Sequence, residues 1–534
     1  MVKITCLGAT GSVTGSNFLV ETPGGKKLIV DCGLFQGNKE MESRNWGDWG
    51  YNPREVKLLV LTHAHIDHSG RIPKLVKDGF RGRIIASPPT VDLCEVMLLD
   101  SAHVQEMEAE WRTKKNKRQA KHRVLPLYTT RDAEDSLQYF CSTEMDKIVE
   151  PEPGVKVRLR DSGHILGASI VELWIEEDQK NTKIVFSGDL GRQDALIVKD
   201  PVPVEEADYL FVESTYGDRL HRTFEESKAE LLEAIEYAYA HQEKVIIPAF
   251  AVERTQEILY ILGEFSRSGQ LPDIPIFLDS PLAIKATEIF RKNKAYYDED
   301  ARDLVSQGVD PFDMPHLKFT VTAKESMEIN QLSGSAIVVS ANGMCNAGRI
   351  KHHLKHNLWR PGASIVITGF QSQGTTGRQI VDGAERVTIF GEKIAVRAKV
   401  FTIGGISAHG DQADLLRWIG HFAQKSRPRI FVVHGELLTS QTFAKAIRET
   451  WNLDVIVPRW REVLRLVPRE RIKEIPVGVD REILRRNLLE MTANLEAVVS
   501  RLKETLAKDE KQFAETDAEK LLAIRGELNA LISG

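Results

Sequence analysis

The chain has 534 residues, 42 % of them hydrophobic and 28 % charged, with a formal net charge of −5. This length points to two or three domains, and the composition excludes a disordered or fibrous chain. The negative balance excludes a globally basic nucleic-acid binder, so a polyanionic partner would have to be met by a local patch.

The N-terminus runs straight into β-rich segments, "KITCLGA", "SNFLVET" and "KKLIVDCG", the last two parted by the turn Pro23-Gly24-Gly25. No basic stretch followed by an apolar core opens the chain, and no apolar run approaches membrane-spanning length. The expectation is a cytoplasmic protein with no membrane partner. The scattered Cys6, Cys32, Cys94, Cys141 and Cys345 fit a reducing compartment and argue against a disulfide framework or a cysteine zinc site.

"VKLLVLTH" is a near-continuous apolar run of the kind that forms a buried strand. A helix over Thr90 to Trp111 is expected next, then strands at "SIVELWI" and "TKIVFSGD". From about Glu213 helices and strands alternate: helix Phe224 to His241, strand "KVIIPAF", helix Glu253 to Ser268, and strands "IPIFLDS", "SAIVVSA" and "ASIVITGF". Such alternation predicts a parallel sheet with helices on its faces. Near Ala395 the short-strand style returns with "KVFTIGG" and "RIFVVHGE", as if one domain were inserted in another. In the tail, Leu484, Leu488, Met491, Leu495, Val498 and Leu502 form a heptad seam, which predicts helices that pack on the body or pair two copies of the chain. The basic run Arg112, Lys114, Lys115, Lys117, Arg118, Lys121 and Arg123 reads as a solvated helix end, unless it lies beside a phosphate site.

The sharpest feature is Thr62-His63-Ala64-His65-Ile66-Asp67-His68, directly after the apolar strand. It places four metal-ligand side chains on one loop, and imidazole and carboxylate groups suit zinc. Alternate residues His63 and His65 can point to one side of an extended segment, while Asp67 and His68 follow the turn and can face a second ion. His164 in "DSGHILGAS", Asp189 in "VFSGDLG", His409 in "GGISAHGD", His434 in "IFVVHGE" and Asp31 in "LIVDCG" are weaker alone. Asp31, Asp189 and His434 each end an apolar strand just before or near a glycine, where rigid sheets present catalytic groups.

Together these segments resemble the metallo-β-lactamase fold, and the second half resembles its nucleic-acid-directed β-CASP branch. Glu213 in "FVESTYG", His409 in "SAH" and His434 in "VHGE" are similar to that branch's three signatures; "SANGMCNAGRI" and "GFQSQGTTGRQI" resemble segments of its inserted domain. The likeness spans about Met1 to Pro458 and is strongest to bacterial and archaeal ribonucleases similar to the endonuclease subunit of the cleavage and polyadenylation specificity factor. It implies an αββα sandwich over residues 1–208 and 395–466, interrupted by an α/β β-CASP domain over 209–394, with a helical extension over 467–534. It also implies one zinc on His63, His65, His164 and Asp189, and a second on Asp67, His68, Asp189 and His434. Asp31 would orient a ligand histidine. Asp67, Glu213 and His409 would be catalytic, with His409 the general acid and Glu213 its hydrogen-bonding partner.

The implied reaction is hydrolysis of RNA phosphodiester bonds, with two metal ions holding a hydroxide for in-line attack and leaving 5′-phosphate and 3′-hydroxyl ends. Zinc is preferred to manganese by the histidine-rich donor set. Arg349, Arg378 and Ser407 are candidate phosphate contacts, the arginines alternatively surface ion pairs. The rivals are a small ester, thioester or lactone hydrolase of the same fold, a nuclease for DNA, and a scaffold subunit that assembles through the tail. Endonuclease and exonuclease action both stay open.

Overall fold

The computed structural model describes residues 1–117, 123–177, 180–369, 371–372 and 374–466. The expected helical extension, its heptad seam and the homodimer it would form lie outside these residues, as do Arg118 and Lys121 of the basic run.

Two seven-stranded sheets face each other. The first runs Val463–Leu466, Val2–Cys6, Phe18–Glu21, Lys27–Val30, Val56–Val60, Arg83–Ala86, Phe140–Ser142. The second runs Val455–Ile456, Arg429–Val432, Tyr209–Val212, Lys180–Phe186, Ser169–Glu177, Val155–Asp161, Val149–Glu152. Alternation explains the packing. Val2, Ile4, Phe18, Val20, Leu28 and Val30 point inward to meet Val157, Leu173, Ile184, Phe211 and Phe431 in one apolar core. Stacked Phe186, Phe211 and Phe431, at 4.7 Å between successive ring centroids, fill its centre.

Helices cover both outer faces. Leu93, Cys94, Met97 and Leu98 of the helix Pro88–Lys117 belong to the same cluster as Ile29, Leu59 and Ile84 of the first sheet. Helices Gln412–Lys425 and Leu437–Trp451 bury Leu415, Ile419, Phe443 and Ile447 against Val185, Leu210 and Ile430 of the second. The result is the expected αββα sandwich.

The third sheet is parallel throughout, in the order Leu317–Phe319, Ile276–Leu278, Ala336–Ser340, Lys244–Pro248, Ser364–Ile367, Lys399–Thr402. Alternate residues sort to opposite faces. Val245 and Ile247 meet Leu231, Ile235 and Ile258, whereas Ile246 meets Ile350 and Leu354.

The sheets correct the expected boundaries. Tyr209–Val212 hydrogen-bonds between Lys180–Phe186 and Arg429–Val432, so it belongs to the sandwich and not to the insertion. Lys399–Thr402, expected to open the returning sandwich, pairs instead with Ser364–Ile367 of the inserted sheet. Both strands read as generic apolar segments, and only pairing decides which sheet receives them. The helix expected over Thr90 to Trp111 is longer, spanning Pro88–Lys117. Among the described residues no helix is long and apolar enough to cross a membrane.

Candidate active site

The loop after Val56–Val60 carries Thr62, His63 and His65, and a short helix, Ile66–Ser69, turns Asp67 and His68 back toward it. His63 Nε2 and His65 Nδ1 lie 3.2 Å apart, and His164 Nε2 is 3.1 Å from His65 Nδ1. Asp189 Oδ2 stands 3.6 Å from His63 Nε2 and 3.7 Å from His164 Nε2. Beside them His68 Nε2 and His434 Nε2 are 3.2 Å apart, and Asp67 Oδ2 is 3.5 Å from His434 Nε2. Asp189 Oδ2 is also 3.4 Å from His68 Nε2, so it stands between the two clusters.

These spacings suit a cation. Ligand nitrogens about 2.0–2.1 Å from a tetrahedral zinc sit roughly 3.3 Å from one another, close to the observed edges. Asp189 Oδ1 is buried without a hydrogen-bond partner, although His434 Nδ1 is 3.3 Å away. An orphaned carboxylate oxygen among converging imidazole nitrogens is the polarity that a positive ion compensates.

The surroundings set protonation. Burial holds His63 and His164 well below the ordinary imidazole range and brings His65 to about 4. Neutral imidazole is the ligating form. Burial acts on His68 in the same direction, but the carboxylates of Asp189 and Asp31 outweigh it and raise that imidazole. Asp31 accepts from Thr62 N at 2.8 Å, Thr62 Oγ1 and Ser16 Oγ at 3.0 Å, and contacts His68 Nδ1 at 2.7 Å. It thereby fixes the ring that presents Nε2 to the second cluster.

His409 lies on the open side. Its Nδ1 is 3.1 Å from Glu213 Oε1, and its Nε2 is 4.0 Å from Asp189 Oδ2. Burial opposes its charged form, but the fully buried Glu213 overrides this by charge and hydrogen bond, lifting its pKa to about 9. Glu213 is itself held by the amides of Leu190 at 2.7 Å and Thr215 at 3.2 Å. Side-chain exposure is 23 % for Asp67 and 21 % for His409, against 2 % for Asp189, so these two groups are more open to solvent than the carboxylate between the clusters.

The residues singled out in the sequence thus converge from distant segments, with three exceptions. Arg349 donates to Asp279 Oδ1 at 2.7 Å and to the carbonyls of Thr320 and Val321, bracing the inserted domain instead of waiting for a phosphate. Arg378 forms an ion pair with Asp382 at 2.8 Å, one helical turn away. Arg112, in the basic run, pairs with Glu108 at 3.1 Å as an ordinary solvated helix face does. Ser407 does belong to the site, since its Oγ accepts from His409 N at 3.2 Å.

Other contributors carry no signature. Thr62 bridges Asp31, His63 and His68, and its place beside His63 is the one clue to it. His221 Nε2 lies 3.1 Å from the His409 carbonyl, and Thr215 Oγ1 3.1 Å from His434 Nδ1. Glu253, from the inserted domain, accepts from Leu166 N at 3.0 Å and so ties that domain to the His164 loop.

A sandwich that gathers imidazoles and carboxylates into paired clusters at its strand ends is the build of a metal-dependent hydrolase. Residues 11–86 match the metallo-β-lactamase superfamily, 255–380 the Beta-Casp domain, and 393–458 the Zn-dependent metallo-hydrolase RNA specificity domain. The chain is 36 % identical over 435 residues to Ribonuclease TTHA0252 of Thermus thermophilus, covering 82 % of this chain and 93 % of that protein. It is 32 % identical to the RNase J-like protein of Methanocaldococcus jannaschii, over 86 % of this chain and 98 % of that protein. To the transcription termination factor FttA of Thermococcus kodakarensis it is 30 % identical, over 87 % and 71 % respectively. The protein belongs to the β-CASP ribonucleases of the metallo-β-lactamase superfamily. The rival expectation of a small-ester hydrolase gives way to this assignment.

Proposed function

We propose that the protein hydrolyses phosphodiester bonds of single-stranded RNA with two zinc ions, leaving 5′-phosphate and 3′-hydroxyl ends. The observation that carries this reading is the pair of donor clusters joined at Asp189, with the Glu213–His409 pair beside them. His63, His65, His164 and Asp189 would hold one ion, and Asp67, His68, His434 and Asp189 the other. When bound, two such ions supply Lewis acidity toward the phosphate and a nucleophilic water at neutral pH.

The chain supplies the rest. Asp31 holds the His68 ring, and the carbonyl of Ala408, 3.1 Å from His164 Nδ1, holds that of His164. Glu213 occupies His409 Nδ1 and favours the imidazolium, so His409 Nε2 hands its proton to the departing ribose oxygen. Asp67, the most open carboxylate of the cluster, steers the in-line nucleophile. The Ser407 hydroxyl proton is left for a non-bridging phosphate oxygen, since its Oγ otherwise only accepts from His409 N among the described residues.

End-labelled single-stranded RNA, incubated with and without chelator, tests the proposal. Cleavage that survives complete metal removal, or products ending in 5′-hydroxyl, would overturn it. Metal analysis should find two zincs per chain and a deficit in His65→Ala.

A further inference from the structure

A second pocket, about 370 Å³ when the open solvent at its mouth is counted, is lined by residues other than the donor clusters. Its walls carry three arginines and three aromatic rings: Arg44, Arg71, Arg461, Phe35, Trp49 and Trp460. Asp48 is the one carboxylate in the lining, and Arg44 also reaches Glu40 at 3.7 Å from outside it, so three guanidiniums meet two carboxylates and the local balance stays positive in a chain whose overall charge is negative.

Arg71 is the unusual member. Its residue is 6 % exposed, and its guanidinium lies 4.8 Å from the ring centroids of both Phe35 and Trp49. Its Nε donates to the Gly33 carbonyl, while its two terminal nitrogens make no hydrogen bond and the side chain forms no ion pair among the described residues. Buried cations are normally paired, and aromatic faces replace a carboxylate only in part. Across the cavity Arg44 stands 4.1 Å from the Trp460 ring, and Arg461 4.7 Å from it. Trp460 is anchored by its indole N–H on the Leu7 carbonyl yet keeps 38 % exposure, so part of its surface is available.

Guanidinium donors interleaved with flat rings fit a ligand that is both anionic and planar. We infer that this cavity binds a nucleoside phosphate, with a base against Trp460 and the phosphate on the guanidiniums of Arg44, Arg71 and Arg461. The ligand is a free nucleotide or one unit of an RNA chain whose scissile bond sits at the donor clusters. The cavity is tied to those clusters. Arg71 follows His68 by three residues, its backbone N–H donates to the Cys32 carbonyl at 2.9 Å, and Cys32 N donates to the His68 carbonyl at 2.7 Å. Gly33, held by Arg71, packs so closely on Asp67 that a Cβ there would come within 1.5 Å of its carbonyl oxygen. One backbone layer therefore separates the two sites.

The test uses the zinc-loaded protein and 5′-AMP, a monoester that offers no bond to the proposed nuclease. The part of the tryptophan fluorescence contributed by Trp49 and Trp460, two of the eight tryptophans of the chain, should be quenched saturably. In Arg44→Ala/Arg461→Ala, which removes two solvent-reaching cations, the dissociation constant should rise about tenfold or more, in line with the loss of charge-assisted contacts. No saturable quenching by AMP, or an unchanged constant in the double variant, overturns the assignment. Arg71→Lys provides a second check, because it keeps the charge but loses the flat stack, and it too should weaken AMP. Cleavage kinetics separate the two sources. If the occupant is part of the RNA chain, the double variant raises KM for a long RNA but not for a short one; if it is a free nucleotide, both KM values stay put while AMP binding falls. The inference goes beyond the proposed reaction, and AMP binding is read without cleavage, so either can fail alone.

Discussion

Replacing Asp31 by Asn tests the connection between hydrogen bonding and metal affinity. The substitution keeps size and shape, and Asn tolerates the positive φ of 60° found at this position, so backbone strain is not introduced. What changes is the donor–acceptor count. Asp31 takes contacts from Thr62 N, Thr62 Oγ1, Ser16 Oγ and His68 Nδ1, all at 2.7–3.0 Å, in a position 1 % exposed. An amide has one acceptor oxygen. If its nitrogen replaces Oδ2 it faces the His68 and Ser16 donors, and if it replaces Oδ1 it faces the Thr62 amide. Losing a charge-assisted hydrogen bond of this kind costs about 1.5–3 kcal/mol. His68 escapes the clash only by moving its proton from Nδ1 to Nε2, the nitrogen that faces His434 and Asp67, which removes it as a ligand. Zinc affinity of the second cluster should therefore fall by about 10–100-fold, or roughly 1.4–2.7 kcal/mol. Competition with a chromophoric chelator measures this, and metal analysis should show the ion of the His63–His65–His164 cluster retained. Two zincs held with unchanged affinity in Asp31→Asn would refute the orienting role.

Four further outcomes follow from the same geometry. His409→Ala should lower kcat by about 10²–10⁴-fold while leaving metal content intact, as loss of a general acid does; unchanged kcat would remove that assignment. Since Glu213 raises the His409 pKa to about 9, the imidazolium persists at neutral pH and is lost as pH rises through that value; Glu213→Gln should shift the alkaline limb of the kcat profile to lower pH. Gly8→Ala should destabilise strongly, because the added Cβ would lie 1.7 Å from the Gly15 carbonyl oxygen, and chemical denaturation measures the loss. Chelation should lower the thermal midpoint, since ions that bind only the folded clusters stabilise by mass action; an unchanged midpoint would show that the clusters hold no metal.

The sequence alone pointed to the chemistry of the loop from His63 to His68, because four metal-ligand side chains, three imidazoles and a carboxylate, crowded onto one strand end leave little else for it to do. It also determined the alternation that makes the inserted sheet parallel. Periodicity, however, reports which face of an element is apolar and not which sheet will pair with it. Tyr209–Val212 and Lys399–Thr402 therefore changed sides once hydrogen bonding was known. The arginines show the same divide. In sequence Arg349 after a glycine looks like a phosphate grip, and only the buried carboxylate of Asp279 shows where its charge goes. Arg71 gave no signal, because a cation becomes unusual only when folding buries it between two rings and supplies no acid. Residue type sets what a group can do; the tertiary structure brings partners from hundreds of residues away within reach, and distances of a few ångströms then decide which interaction each group makes.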